Sequence, residues 1–480
     1  MSTESVTITV DGAPIDVNPE RMLLPELLDK GFSIPHFCYQ ESLGSDGNCR
    51  MCMVEVAGKK RPQISCDTPI VAEMEIRTRG ESIEKVRRDI LELELINHPV
   101  DCPICDQAGE CSLQDYYMEY GLYQGKVDKK EKHHFDKHID LGANVMHDQE
   151  RCVLCQRCVR FCRDVTHTDE LCVAGRGDHS YITTVPGETL HNTYAMNVTD
   201  LCPVGALTSK DFRFQQRVWF LATSPSVCHG CAKGCAIDID HAKSKYHDDT
   251  IYRFRPRKNP EINGEFICDA GRLSYKEQQT NLLRTCLAKE ETLAEAEALD
   301  RMKAILTEDE YPIVVLADAN LYTEELAALQ AFARTFHARL YAPLEAYHDP
   351  AFGDDWLKSP QRAANAEGVK RLGIATEMPT INDNILVINV NHPDGHRTAN
   401  RIDLLTHRPD EDTGRVPARL TLPIAPWVQN SGHLINEDGI EQYCEQVLRR
   451  NDPIPTLLER LAPFFDKGDD TIFDNLEAAL

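Results

Sequence analysis

Sixteen side chains stand at spacings suited to metal ligation, fifteen of the chain's 19 cysteines and one histidine. The densest run is His98-Pro-Val-Asp-Cys102-Pro-Ile-Cys105-Asp-Gln-Ala-Gly-Glu-Cys111, in the order H-x3-C-x2-C-x5-C. Thiolates are soft ligands that select zinc, copper(I) or iron–sulfur clusters. A C-x2-C pair lets two sulfurs reach one centre from a single turn. Pro99 and Pro103 stiffen this loop by fixing φ, and Gly109 permits a turn that regular structure forbids. Alone, the run also suits a structural zinc knuckle of three cysteines and a histidine.

Three further sets surround it. Cys38, Cys49, Cys52 and Cys66 follow C-x10-C-x2-C-x13-C. This is the plant-type [2Fe–2S] pattern with a longer first gap. Four ligands would also satisfy zinc, but the β-grasp context described below favours the cluster. Cys152, Cys155, Cys158 and Cys162 give C-x2-C-x2-C-x3-C, the bacterial [4Fe–4S] run, whose fourth ligand to the same cluster comes from a distant Cys-Pro. Cys202-Pro203 fits that role. No second such run accompanies Cys202, so Cys162 reads as a buried free thiol, and Cys172 likewise. Cys228, Cys231 and Cys235, then Cys268, suit a [4Fe–4S] cluster held between two small sheet segments, with a zinc ribbon as the alternative. His229 reads as a bystander. The expected cofactors are one [2Fe–2S] and three [4Fe–4S] clusters, with Cys162, Cys172, Cys286 and Cys444 left over. Four complete sets of four describe a wire.

The elements that must position these donors are legible in outline. Residues 5–17 read as a β-hairpin about Asp11-Gly12, and Met22–Lys30 as a helix stopping at Gly31. Residues 53–58 and 61–65 read as another strand pair, completing a small β-grasp sheet. Ser82–Asn97 reads as a helix ended by His98-Pro99. Residues 126–138, charged and holding three histidines, read as a solvated connector, with a metal-binding tract as the lesser alternative. Beyond Lys276 the ligands stop. Buried strands at Tyr311–Ala319, Ile385–Val390 and Leu420–Ile424 and a helix at Tyr322–Ala338 argue an α/β domain with a parallel sheet. No Gly-rich nucleotide fingerprint or Walker loop occurs. Asp466–Leu480 reads as an acidic tail. The fold class expected is α+β, with β-grasp ferredoxin-like and bacterial-ferredoxin-like iron–sulfur domains followed by a reduced α/β domain. The divisions are 1–80, 81–145, 146–222, 223–277 and 278–480.

A net charge of −25 leaves no basic surplus for phosphates, so no nucleic-acid partner is expected. No apolar run is long enough to span a bilayer, and the first residues lack the basic and apolar regions of a signal peptide. A cytoplasmic location follows as the expectation, and there thiols serve as ligands, not disulfides. Asn197-Val-Thr199 is then a chance sequon.

Residues 98–115 resemble the signature of the large, G-type iron–sulfur subunit of respiratory complex I. So do Gly175-Arg-Gly-Asp-His-Ser180 and Cys202-Pro-Val-Gly-Ala-Leu-Thr-Ser-Lys-Asp-Phe-Arg-Phe214. The resemblance covers roughly 5–277, and it implies the first three donor sets with the same cluster types; some members carry a further [4Fe–4S] cluster, off the main electron path, that matches Cys228, Cys231, Cys235 and Cys268. It also implies an electron relay in the peripheral arm, on the cytoplasmic face of a membrane-bound NADH:quinone oxidoreductase. The partners it implies are a flavin-bearing NADH-oxidising subunit with its [2Fe–2S] partner, quinone-side iron–sulfur subunits and, indirectly, the membrane arm. No catalytic residue is implied. Members continue into a long domain related to molybdopterin oxidoreductases. Asn430-Ser-Gly-His-Leu-Ile-Asn-Glu-Asp-Gly-Ile-Glu-Gln442 resembles a late part of it, so the domain looks internally shortened and no molybdopterin is expected. Two other readings are a relay subunit of a soluble NAD-linked hydrogenase or formate dehydrogenase, and a zinc-stapled scaffold without electron transfer.

Overall fold

Asp11 and Gly12 both take the left-handed region, at φ +50° and +86°, as a two-residue hairpin turn of primed type requires. β1 (Val6–Val10) and β2 (Ala13–Val17) accordingly pair antiparallel with Val10 opposite Ala13. The structure is a computed structural model describing residues 5–121, 123–246, 249–289, 291–308, 310–395, 398–408, 416–448 and 454–465. The acidic tail from Asp466 lies outside the described residues. The chain divides into two compact units, one up to Trp219 and one from Phe220 onward.

In the first unit, α1 (Leu23–Asp29) ends where Gly31 turns at φ +85°. β3 (Met53–Val56), β4 (Gln63–Ile64) and β5 (Glu75–Arg77) complete a five-stranded sheet ordered β2-β1-β5-β3-β4, with β1 and β5 parallel. Ile8, Val10, Val54 and Ile76 of this sheet pack on Leu23, Leu24 and Leu27 of α1. That is the expected β-grasp. α2 (Glu81–Asn97) stops at His98, which is extended at φ −61°, ψ 132° before Pro99. α3 (Ser112–Tyr120) packs beside it, and the buried Arg87 of α2 donates to Tyr120 Oη at 3.1 Å and to the Met53 carbonyl at 3.3 Å.

β6 (Ile139–Asp140) and β7 (Val145–His147) open a second small sheet. α4 (Arg157–Arg160) runs into a π-turn at Phe161–Val165, followed by a hairpin of β8 (Leu171–Ala174) and β9 (Tyr181–Thr184). α5 (Asn197–Leu201) leads to β10 (Leu207–Ser209), which joins β7 in the order β10-β7-β6. The sequon residue Asn197 is buried and donates to the Tyr194 carbonyl at 2.8 Å.

Two expectations for this unit need correction. Cys162 is buried, but Cys172 is only half-buried. It sits on a two-stranded ribbon, where alternate side chains have no second sheet to cover them. The charged run 126–138 is also more than a solvated connector. Lys132 Nζ donates to the His98 carbonyl at 2.7 Å, and Lys137 Nζ lies 2.9–3.4 Å from Asp101, Asp148 and Glu150. The charges of Lys132 and Lys137 are spent on carboxylates and a loop carbonyl.

The second unit starts with an antiparallel meander of β11 (Leu221–Val227), β12 (Ala236–Ala242) and β13 (Ile251–Pro256), then α6 (Asp269–Leu273). One continuous sheet therefore stands where two small segments were expected. Asp240 of β12 is buried and accepts from Thr223 at 2.6 Å, Arg253 at 2.6 Å and Arg255 at 2.7 Å. Those bonds and charges outweigh burial, which pushes the other way, and hold its carboxyl below the usual carboxylate range.

Then come β14 (Cys286–Ala288), β15 (Glu291–Leu293), α7 (Glu295–Glu308), β16 (Ile313–Ala317), α8 (Thr323–Thr335), β17 (Arg339–Tyr341), α9 (Ala366–Arg371) and β18 (Leu386–Val390). β19 (Arg401–Leu405), β20 (Leu420–Pro423), the hairpin β21 (Gly432–Ile435) with β22 (Glu441–Cys444), and α10 (Leu457–Leu461) follow. A seven-stranded sheet is ordered β15-β14-β20-β19-β18-β16-β17, parallel from β20 to β17 and antiparallel at the β14–β15 edge. β18, β19 and β20 are buried along their whole length, as a parallel sheet covered on both faces requires. Among the described residues no helix is long and apolar enough to cross a membrane.

Candidate metal centres

The Cys38 loop, leaving the β-grasp helix, meets Cys49 and Cys52 ahead of β3 and Cys66 beyond β4. The amides of Phe37 and Cys38 both donate to Cys49 Sγ at 3.4 Å. Hydrogen bonds from Cys49 and Cys66 drive the Cys38 thiol far below its usual range, against burial. The same bond to Cys38 and burial drive Cys49 up, and bonds to Cys38 and Cys52 drive Cys66 up. Cys52 is lowered to about 7, chiefly by Cys66. Four buried sulfurs thus adjoin one another, and a metal that binds such a set displaces the thiol protons.

In the His98 run, Cys102 opens a 3-10 turn (Cys102–Ile104) with Pro103 as its second residue, Cys105 caps its end, and Cys111 caps α3. Burial pushes the thiol of Cys111 up to about 11 and raises Cys105, with each sulfur feeling its neighbours' charge. His98 lies in the same loop with Asp101, Arg151, Lys132 and Lys137 around its ring. Burial lowers it to about 4, so the imidazole is neutral at ordinary pH and suited to ligation. Its Nδ1 accepts from the Val100 amide at 3.1 Å. Val100 itself sits at φ +51°, a conformation a β-branched residue adopts only where its surroundings enforce it.

Cys152, Cys155, Cys158 and Cys202 line one small cavity together with His147 and Arg157. Leu154 and Gln156, between the cysteines, take φ +50° and +61°, which turns successive sulfurs inward. Burial, then mutual charge, pushes Cys152 and Cys158 well above the usual thiol range and Cys155 up to about 12. A metal cation among these sulfurs would counter both effects. In the second unit Cys228, Cys231 and Cys235 occupy the β11–β12 connection, and Cys268 caps α6, accepting from the Gly271 amide at 3.3 Å. A Cβ on Gly271 would come within 3.0 Å of Cys228 Sγ and 3.3 Å of Cys268 Sγ. Only glycine lets the two sulfurs converge there. His229 stacks on Trp427 with ring centroids 3.9 Å apart and faces the Val227 carbonyl, as a bystander should.

Sequence reasoning missed the side chains that brace one loop against another. Arg157 donates to the Tyr39 carbonyl at 2.5 Å, and the buried Arg160 donates to the carbonyls of Leu43 and Gly44 at 3.1 Å and to that of Cys38. Asn48 donates to the Leu154 carbonyl at 2.7 Å. On the other side, Arg151 grips Asp101 through two bonds of 3.0 and 2.7 Å, and the Ser112 amide donates to the Pro203 carbonyl at 2.9 Å. The one sequence hint is arginine placed inside or just before a cysteine run.

Residues 3–81 match a family model described as a 2Fe-2S iron-sulfur cluster binding domain. Residues 87–125 match the NADH-ubiquinone oxidoreductase-G iron-sulfur binding region, and 142–208 the NADH-quinone oxidoreductase subunit 3, ferredoxin-like domain. The chain is 35% identical over 357 residues to the G-type subunit of the NADH-quinone oxidoreductase of Streptomyces coelicolor, covering 71% of this chain and 42% of that protein. It is 40% identical over 285 residues to the NADH-ubiquinone oxidoreductase 75 kDa subunit of Reclinomonas americana, covering 59% and 40%. The chain spans less than half the length of these curated relatives. A chain of an NAD+-reducing [NiFe]-hydrogenase in the H2-reduced state is 30% identical, with 45% of this chain and 92% of that one covered at a TM-score of 0.41.

Proposed function

Given that the chain belongs to the G-type iron–sulfur subunits of complex I, we propose that it is an electron relay, carrying electrons from a flavin-bearing NADH-oxidising subunit and its [2Fe–2S] partner towards quinone. The quinone-side iron–sulfur subunits would receive them, in a peripheral arm on the cytoplasmic face of a membrane-bound complex. The bound clusters supply one-electron redox chemistry, and no proton transfer or nucleophile is asked of the protein. Cys38, Cys49, Cys52 and Cys66 would hold the [2Fe–2S] cluster. His98, Cys102, Cys105 and Cys111 would hold one [4Fe–4S] cluster, Cys152, Cys155, Cys158 and Cys202 a second, and Cys228, Cys231, Cys235 and Cys268 a third. The segments 1–80, 81–145, 146–222, 223–277 and 278–480 would be the corresponding domains.

The observation that carries this reading is the interlocking of three donor loops in the first unit. Asn48, Arg157 and Arg160 tie the Cys38–Cys66 loops to the Cys152 run, while Arg151 and Ser112 tie the His98 loop to Cys152 and Cys202. The Cys152–Cys202 set therefore lies between the other two, with ligands one or two residues from each bracing bond. Electron tunnelling decays steeply with distance, so a relay needs such adjacency. A scaffold does not. The residues also tune the sites, since amides donate to Cys49, Cys152, Cys228 and Cys268 sulfurs, and bonds to sulfur raise a cluster's potential.

Anaerobic purification followed by iron and sulfide analysis, with low-temperature EPR after reduction, tests the reading. About fourteen irons per chain, with one [2Fe–2S] and several [4Fe–4S] signals, is the expected result. Stoichiometric zinc in place of iron would overturn it.

A further inference from the structure

Outside the four donor sets, three more metal-capable side chains meet on the first unit. His133 comes from the connector between α3 and β6. Asp178 and His179 come from the short turn joining β8 to β9. His133 Nε2 lies 3.0 Å from Asp178 Oδ2, and His179 Nε2 lies 3.8 Å from Asp178 Oδ1. The two imidazoles stand edge to face with centroids 4.7 Å apart, and one ligand atom from each of the three residues falls within a 4.8 Å span. Neighbouring ligands on one zinc, with bonds of about 2.0–2.2 Å, are separated by roughly 3.0–3.6 Å. All three side chains are exposed by 42% or more, so small rotations close that difference.

Each position is fixed from elsewhere. The His133 amide donates to Asn97 Oδ1 at 3.0 Å, and its neighbour Lys132 is held by the carbonyls of Leu95 and His98. In the turn, Gly175 and Gly177 take φ +77° and +62°, and a Cβ on Gly175 would strike the His179 carbonyl. Phe135 and Tyr181 pack the connector on the hairpin, their ring centroids 6.5 Å apart. Neither element therefore needs the histidine–aspartate contact to find its place. An exposed ion pair contributes little to stability, and it gives no reason for a second imidazole. Two imidazoles with one carboxylate, open to water on the remaining side, form an N2O donor set that suits borderline divalent metals.

We propose that His133, Asp178 and His179 form a surface site for a divalent transition-metal ion, zinc in the first place, with water completing its coordination. The ion would pin the connector to the β8–β9 hairpin. Both elements border cluster loops: the connector holds the His98 carbonyl, and Ile182 of β9 lines the Cys152–Cys202 cavity and accepts from Gln149 at 3.3 Å. The site does not depend on the relay reading, because its ligands are not those of any cluster.

The test uses the iron-loaded holoprotein and zinc ions alone. Equilibrium dialysis should give one zinc per chain beyond the iron. Absorption at the zinc edge should show nitrogen and oxygen neighbours at about 2.0–2.2 Å with imidazole scattering. A His133→Ala/His179→Ala variant with unchanged iron content should bind zinc at least about tenfold more weakly, and Asp178→Asn should weaken it in the same direction. In the unaltered holoprotein, zinc should also protect His133 and His179 from carbethoxylation by diethyl pyrocarbonate, mapped by mass spectrometry. Sulfur neighbours at about 2.3 Å would overturn the proposal, as would equal affinity in the double variant or no protection.

Discussion

Gly205 follows Cys202-Pro203-Val204, and its Cα faces the His98 loop. A Cβ there would fall inside the radius of Cys105 Sγ, 3.1 Å from Gln107 Cβ and 3.6 Å from Arg151 Cδ. The φ of Gly205 lies outside the left-handed region, so the backbone itself tolerates alanine and the effect of Gly205→Ala is steric alone. Carbon and sulfur settle at about 3.5–4.0 Å, so the thiolate must retreat by more than roughly an ångström. Metal sites hold ligand distances within about 0.2 Å. A Cys105 that ligates iron as proposed cannot make that retreat and keep its bond.

The expected result is loss of the His98–Cys111 cluster alone. Iron should fall from about fourteen to about ten per chain, and one [4Fe–4S] EPR signal should vanish while the [2Fe–2S] signal stays. The folding cost is that of an overpacked core, about 1–3 kcal/mol, which leaves the β-grasp intact. Gly125→Ala is the control, because a Cβ there meets nothing within 4 Å. Full iron and an unchanged spectrum in Gly205→Ala would refute the reasoning, since Cys105 Sγ would then not be a ligand at that place.

Replacing neutral His98 by cysteine adds a negative charge to its cluster. A potentiometric EPR titration of His98→Cys should show a lower potential, and an equal one would contradict histidine ligation. Asp240→Asn removes the carboxylate shared by Arg253 and Arg255 and should cost about 3 kcal/mol in denaturant unfolding at pH 7, near the lower end for a broken buried pair. Because the folded carboxyl lies below its ordinary value of about 3.9, its stabilisation is present above that value and is lost as pH falls through the folded pKa. The gap between variant and parent should therefore close in acid, and a gap constant down to pH 2 would exclude this origin. Chelating the iron should expose the 98–111 and 152–162 loops to protease before the β16–β20 sheet, since the loops then lose the ligand bonds that hold them; simultaneous cleavage would show that the loops hold without metal.

What the sequence discloses and what it hides divide along one physical line. The proposed donor sets are written largely in local spacing, so most of the sixteen candidate ligands, the Asp11-Gly12 hairpin and the stop of α2 at Pro99 are visible within a few residues. The braces are bonds between residues 50 to 122 positions apart, such as Arg151 to Asp101 and Arg160 to Cys38, and no local pattern announces them. β19 escapes local reading for a related reason. Arg401-Ile-Asp-Leu-Leu405 carries two charges in five residues, yet Arg401 and Asp403 are both 1% exposed and pair at 3.0 Å, with Asn389 donating to the carboxylate. Burying one of those charges alone would be prohibitive, and burying the pair is tolerated because each supplies the other's partner. The same rule governs the metal loops. Sulfurs whose thiolates burial forbids singly become admissible together once a cation sits among them, so the chemistry that makes the sites functional is also what permits them to be buried.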